Sequence, residues 1–106
     1  GAEPPTAFFA ATDVLAVGAM RGLQACGLRV PEDVSVMGVD NAPFAAVAEP
    51  PLTTMNVYCE SISRRSMSVL MHEVRAARTQ RVKVLLSGNL VARQSVAAPR
   101  AGEPRA

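Results

Sequence analysis

The chain has 106 residues, enough for one domain at most. Hydrophobic residues make up 49%, charged residues 19%, and the formal net charge is +2. This is ordinary globular composition with a modest core, and it carries neither the concentrated basic surface nor the helix-turn-helix of a DNA-binding module.

Residues 1–5 read as a frayed entry and lack the basic-then-apolar order of a signal peptide. Residues 6–11 (TAFFAA) form a nearly continuous apolar run, which suits a strand buried on both faces of a parallel sheet. Thr12 and Asp13 are both good helix N-caps. Residues 14–26 are helix formers, with Leu15, Ala19, Met20 and Leu23 recurring at helical spacing. Gly18 and Gly22 are expected to mark close packing of this helix against the sheet. Gly27 is a natural C-cap, followed by Leu28 as its apolar contact.

Pro31, Glu32 and Asp33 make a turn. Residues 34–39 (VSVMGV) read as a second buried strand that ends at Asp40 and Asn41. Strand, helix, strand in this order is a βαβ unit with a right-handed crossover. Residues 42–49 are weakly helical, Pro50 and Pro51 stop them, and residues 52–57 are extended. A long helix is expected over residues 60–78, with Met67, Leu70, Met71 and Val74 as an apolar stripe. Arg64, Ser68, His72 and Arg75 lie on its other face. Residues 82–86 and 89–95 read as two strand pieces around Ser87 and Gly88. The tail, residues 97–106, is expected to be disordered. No apolar run is long enough to cross a bilayer.

Ligands of open parallel sheets bind beyond the carboxyl ends of the strands. The first strand ends at Thr12 and Asp13, the second at Asp40 and Asn41, so these side chains converge on one rim. A carboxylate at Asp40 can accept two hydrogen bonds from hydroxyls or from an N–H pair, or it can cap the following turn. Thr12 and Asp13 have helix capping as their bland alternative. His72 has no nucleophile or acid at a suggestive spacing and reads as solvated. Arg64, Arg65, Arg75, Arg78, Arg81 and Lys83 read as a solvated face rather than a phosphate site. Cys26 and Cys59 lack metal-site spacing and read as buried thiols in a reducing compartment. No phosphate loop, nucleophile elbow or zinc-protease motif is present, so neither catalytic residues nor a cofactor nor a metal is expected.

In order and spacing, the stretches PTAFFAATDVLAVGAMRGLQACGLRVPEDVSVMGVDN, EPPLTTMNV and LLSGNLVARQSV resemble the sensor domain of bacterial regulators of the lactose-repressor/galactose-repressor (LacI/GalR) type. The resemblance covers roughly residues 5–96. It implies an α/β fold, a partial periplasmic-binding-protein-like (Rossmann-like) three-layer arrangement with a parallel sheet, truncated to its C-terminal portion. It implies an effector cleft in which Asp40 holds hydroxyls or base nitrogens, with Thr12, Asp13 and Val57 at neighbouring ligand positions. Val57 departs from a Gln carried by several members. An apolar side chain there cannot donate to a sugar hydroxyl, which counts against a simple pentose or hexose. The resemblance also implies a homodimer, with Val17, Met20, Arg21, Phe44, Val47 and Ala48 on dimer surfaces; the lack of a signal-peptide pattern or a membrane-length apolar run makes the cytoplasm the simplest expected location.

The expected function is therefore an effector-binding and dimerisation piece of a repressor, whose operator contact would rest on a helix-turn-helix outside these residues. The alternative is a solute-binding protein of a sugar transport system, which shares the fold. An α/β enzyme is a third class, and no residue set speaks for it. In the family the long helix packs on a second subdomain that is largely absent here. Its apolar stripe is then expected either to associate with copies of the chain or to fold back on the chain's own sheet.

Overall fold

The computed structural model describes residues 3–76 and 81–101. Seven elements follow in order: β1 (Ala7–Phe9), α1 (Asp13–Ala25), β2 (Ser35–Asp40), a 3-10 helix (Pro43–Val47), β3 (Thr53–Asn56), α2 (Cys59–Arg75) and β4 (Asn89–Val91). The strands form one sheet in the order β1-β2-β3-β4. β1, β2 and β3 are parallel, and β4 runs antiparallel to β3. The register sets Phe9 beside Met37, and Asp40 beside Asn56.

α1 starts where the sequence says it should. The Thr12 hydroxyl accepts a hydrogen bond from the Leu15 N–H at 3.3 Å, one of the donors that a helix start leaves without an internal partner. At its other end Gly27 takes a left-handed φ of 83°, and the Leu28 N–H reaches back to the Leu23 carbonyl at 3.0 Å. This is the Schellman arrangement, and it favours glycine at that position.

The face that α1 turns inward differs from the expected one. Ala16 and Met20 are buried, with Val17 and Leu23 partly so, and Leu15 is exposed. Gly18 and Gly22 face open space with nothing near a Cβ, so their small size serves no packing against the sheet. The close approach is made instead by Gly38 of β2. A Cβ there would sit 2.4 Å from an Asp13 carboxylate oxygen and 3.1 Å from the Ala16 methyl. The core joins Ala16 and Met20 to Val30, Val36, Ala45 and Leu52. Burial of a side chain the size of Met20 stabilises by roughly 1.5–3 kcal/mol.

β1 is an edge strand, so the reading of residues 6–11 as buried on both faces is corrected: Phe8 and Phe9 are exposed. Residues 82–86 form no strand and pair with none of β1 to β4. β4 stops at Val91, and the chain then crosses the amino-terminal ends of β2 and β3. The Val36 N–H donates to the Ser95 carbonyl, the Thr53 N–H to the Ser95 hydroxyl, and that hydroxyl to the Val36 carbonyl. The start of the tail is tied down too. Ala97 bonds the Ser35 hydroxyl through both its N–H and its carbonyl, and the Arg100 guanidinium donates to the Asp33 and Pro4 carbonyls. Residues 102–106 of the expected tail lie outside the described residues, as does the expected helix end at Arg78.

Of a three-layer arrangement, the chain holds the sheet and the α1 layer, and α2 stands off. No residue of α2 is buried, and Met67, Leu70, Met71 and Val74 are all exposed. The radius of gyration is 18.7 Å, and the molecule measures 60 × 31 × 22 Å. A compact domain of this length would have a radius of gyration of about 13 Å. The stripe therefore does not fold back on the chain's own sheet.

Candidate functional site

The carboxyl ends of β1, β2 and β3 share one edge of the sheet, the position where open parallel sheets take ligands. Asp40 ends β2 and lies beside Asn56, the end of β3. Thr12 follows β1, and Val57 is one step beyond Asn56. All four are partly exposed. Asp40 is distinctive in two ways. Its φ is 129°, and Asn41 follows at φ 58°, two consecutive non-glycine residues with positive φ. Such conformations persist where the surroundings impose them, and they concentrate at functional sites. Moreover, the Asp40 carboxylate takes part in none of the hydrogen bonds or ion pairs made among the described residues.

Beneath this turn lies a buried polar chain. Asp13 is 0% exposed. One carboxylate oxygen accepts the Thr54 hydroxyl at 2.6 Å, and the other accepts the Ala42 N–H at 2.8 Å. The Thr54 hydroxyl in turn accepts the Asn41 N–H at 3.3 Å. Asp13 therefore joins the start of α1, the turn after β2, and β3. Its negative charge also complements the partial positive charge of a helix N-terminus. A carboxylate sealed this way cannot reach a ligand. The expectation that Asp13 lies at the ligand surface is corrected: it supports the floor of the site.

The Thr12 hydroxyl accepts the Leu15 N–H at the α1 cap, a bond that leaves its own O–H as a donor. Asn56 accepts the Tyr58 N–H on its side-chain oxygen at 3.1 Å and so shapes the turn into α2. Two further residues, Arg93 and Thr54, build the site; both lie in stretches that carry the family resemblance, and neither is among the expected site residues. The Arg93 guanidinium donates to the Asn41 side-chain oxygen at 2.7 Å and to the Leu52 carbonyl at 2.9 Å. Asn41 is legible from its place at the strand end and from its residue type, since Asn tolerates positive φ better than most.

The six residues expected on dimer surfaces divide. Met20 is 1% exposed and belongs to the core of the chain itself, which corrects that expectation. Ala48, and in part Val17, pack against the same core. Arg21, Phe44 and Val47 remain exposed, Val47 at 81%. Cys26 and Cys59 are free and exposed, not buried as expected. Among the described residues no three His, Cys, Asp or Glu side chains gather as metal ligands, and no helix is long and apolar enough to cross a membrane.

Residues 1–96 match the model of the periplasmic binding protein-like domain. The chain belongs to that family. Its relatives within the periplasmic binding protein-like domain family are regulators of the LacI/GalR type. The transcriptional regulator CelR of Thermobifida fusca is 39% identical over 89 residues, 84% of this chain and 26% of CelR. Among solved structures, a CelR–cellobiose complex superposes with a TM-score of 0.79 at 39% identity over 85% of this chain and 28% of that one. The lac repressor dimer bound to operator and an anti-inducer gives 0.79 at 34% identity over 89% and 32%. The chain thus spans about a quarter of the length of the curated relatives it matches.

Proposed function

We propose that this chain is an effector-binding and dimerisation piece of a LacI/GalR-type transcriptional repressor. Residues 5–96 form the C-terminal portion of the sensor domain, followed by a short tail. The intact protein works in the cytoplasm as a homodimer and binds operator DNA through a helix-turn-helix outside these residues. A small molecule, a sugar or related metabolite, biases two arrangements of the sensor and so changes operator affinity. The role is binding and not catalysis.

The observation that carries this reading is the unpartnered Asp40 carboxylate on its left-handed turn at the carboxyl edge of the sheet. Such an acceptor-only group recognises hydroxyls or N–H pairs. Thr12 and Val57 flank it, and Val57 offers an apolar contact. Arg21, Phe44 and Val47 are the exposed residues available to a dimer surface. Regulators, not transport proteins, are the relatives named above, which supports the repressor over the solute-binding alternative.

A thermal-shift series with cellobiose, sucrose and adenine tests the reading, since a ligand stabilises by mass action in proportion to RT ln(1 + [L]/Kd). At least one probe should raise the melting temperature of the parent and leave that of Asp40→Ala unchanged. Equal shifts in parent and variant would move the site away from Asp40.

A further inference from the structure

We propose that Arg93 is a positioning residue for the effector site: it holds the Asp40–Asn41 turn in the conformation that presents the Asp40 carboxylate. The inference rests on the reading of Asp40 as the effector contact, and goes beyond it by naming what sets that residue's geometry.

Arg93 is fixed at three points. Its backbone N–H donates to the Thr53 hydroxyl at 2.9 Å, one guanidinium nitrogen donates to the Leu52 carbonyl at 2.9 Å, and the other to the Asn41 side-chain oxygen at 2.7 Å. The planar fork of a guanidinium makes two such bonds from one rigid group, so the Asn41 side chain is located relative to β3. No carboxylate lies within ion-pair reach of Arg93 among the described residues. Directional donation, and not charge pairing, is its contribution.

The Asn41 backbone is held from below by Thr54 and Asp13, and its side chain from the flank by Arg93. Two non-glycine residues at φ 129° and φ 58° tend to relax unless both sides are restrained. The two restraints differ in kind. Asp13 and Thr54 are fully buried, so removing either also wounds the core. Arg93 is partly exposed and reaches the turn through a side-chain bond. Its loss frees the turn and leaves Ala16, Met20 and Val36 in place.

NMR of the 106-residue chain without added small molecule reads this directly. A residue with positive φ brings its own amide and α protons close and gives a strong intraresidue cross-relaxation signal. The parent should show that signal at Asp40 and Asn41, with slow exchange of the Asn41 amide. Arg93→Ala should lose the signal, speed that exchange by about tenfold, as expected for one lost hydrogen bond, and leave the resonances of Ala16, Met20 and Val36 unmoved. Arg93→Lys keeps one donor and should recover part of both. Asn41→Ala removes the acceptor and keeps an L side chain at the position, and should reproduce the loss if Arg93→Ala does not fold. An unchanged turn signal in Arg93→Ala or Asn41→Ala, or changes spread through the core, overturns the inference. Because no small molecule is present, this failure is separate from an Asp40→Ala variant that keeps its thermal response, which would instead defeat the effector reading.

Discussion

Asp13 and Gly38 show how little room single residues have at this site. Asp13→Ala leaves the Thr54 hydroxyl and the Ala42 N–H unpaired in a buried place and opens a void. The expected loss of stability is about 2–4 kcal/mol, measured by urea denaturation. Gly38→Ala should cost a comparable amount, because its methyl meets the same carboxylate at 2.4 Å, and the double variant should cost less than the sum. Asp33 makes a different prediction. The Arg29 guanidinium and the Arg29 backbone N–H both donate to its carboxylate and hold its pKa down from 3.8 to about 2. A carboxyl group with a depressed folded pKa stabilises above its unfolded value. That contribution should fade as pH falls from about 4 through about 2, and the fading should vanish in Asp33→Asn. At this scale position at a strand end put Asp40 and Thr12 at the rim, and the family resemblance put Val57 beside them. It could not separate Asp13 as floor from Asp13 as ligand, because that difference lies in contacts with Thr54 and Ala42, distant in sequence.

Among the elements, those with their own punctuation were legible. Thr12 and Gly27 bracket α1, and Pro31 and Asp40 bracket β2. Gly27→Ala forces a Cβ into a left-handed backbone at φ 83° and should cost about 1 kcal/mol with the helix otherwise intact by circular dichroism. Inward faces were less legible. Leu15 has the hydropathy of a core residue, and Ala16 the position. The sheet lies on the Asp13, Ala16, Met20 side, so geometry overrides hydropathy. Residues 82–86 show the limit most plainly. Their largely apolar pattern is that of a strand, and pattern alone does not say whether a segment joins a sheet or packs elsewhere. Val82, Val84, Leu85 and Leu86 instead line one wall of a cavity of about 600 Å³, with Ile62, Val69 and Leu70 of α2 on the other. Gly88 follows because the chain must pass within 2.5 Å, measured to a notional Cβ, of the Asn56 carbonyl on its way into β4.

For the molecule as a whole, the shape follows from a core built by α1 and the sheet and an α2 of which no residue is buried among the described residues. Met67, Leu70, Met71, Val74 and four residues of the 82–86 segment leave large apolar side chains exposed together, the kind of surface that marks association sites. Sedimentation should show self-association that grows with concentration and is suppressed in Leu70→Glu together with Val74→Glu. The relatives are about four times longer than the matched span. Thr12, Asp40, Asn56 and Val57 stand partly exposed, so binding at Asp40 should be weak and best read residue by residue. The direct test of Asp40 as the effector contact is therefore an NMR titration with cellobiose and with adenine, mapped onto the sequence. Shifts should cluster at Thr12, Asp40, Asn41, Asn56 and Val57 and disappear in Asp40→Ala. Shifts that gather in the groove between α2 and residues 82–86, or that survive Asp40→Ala, would contradict it.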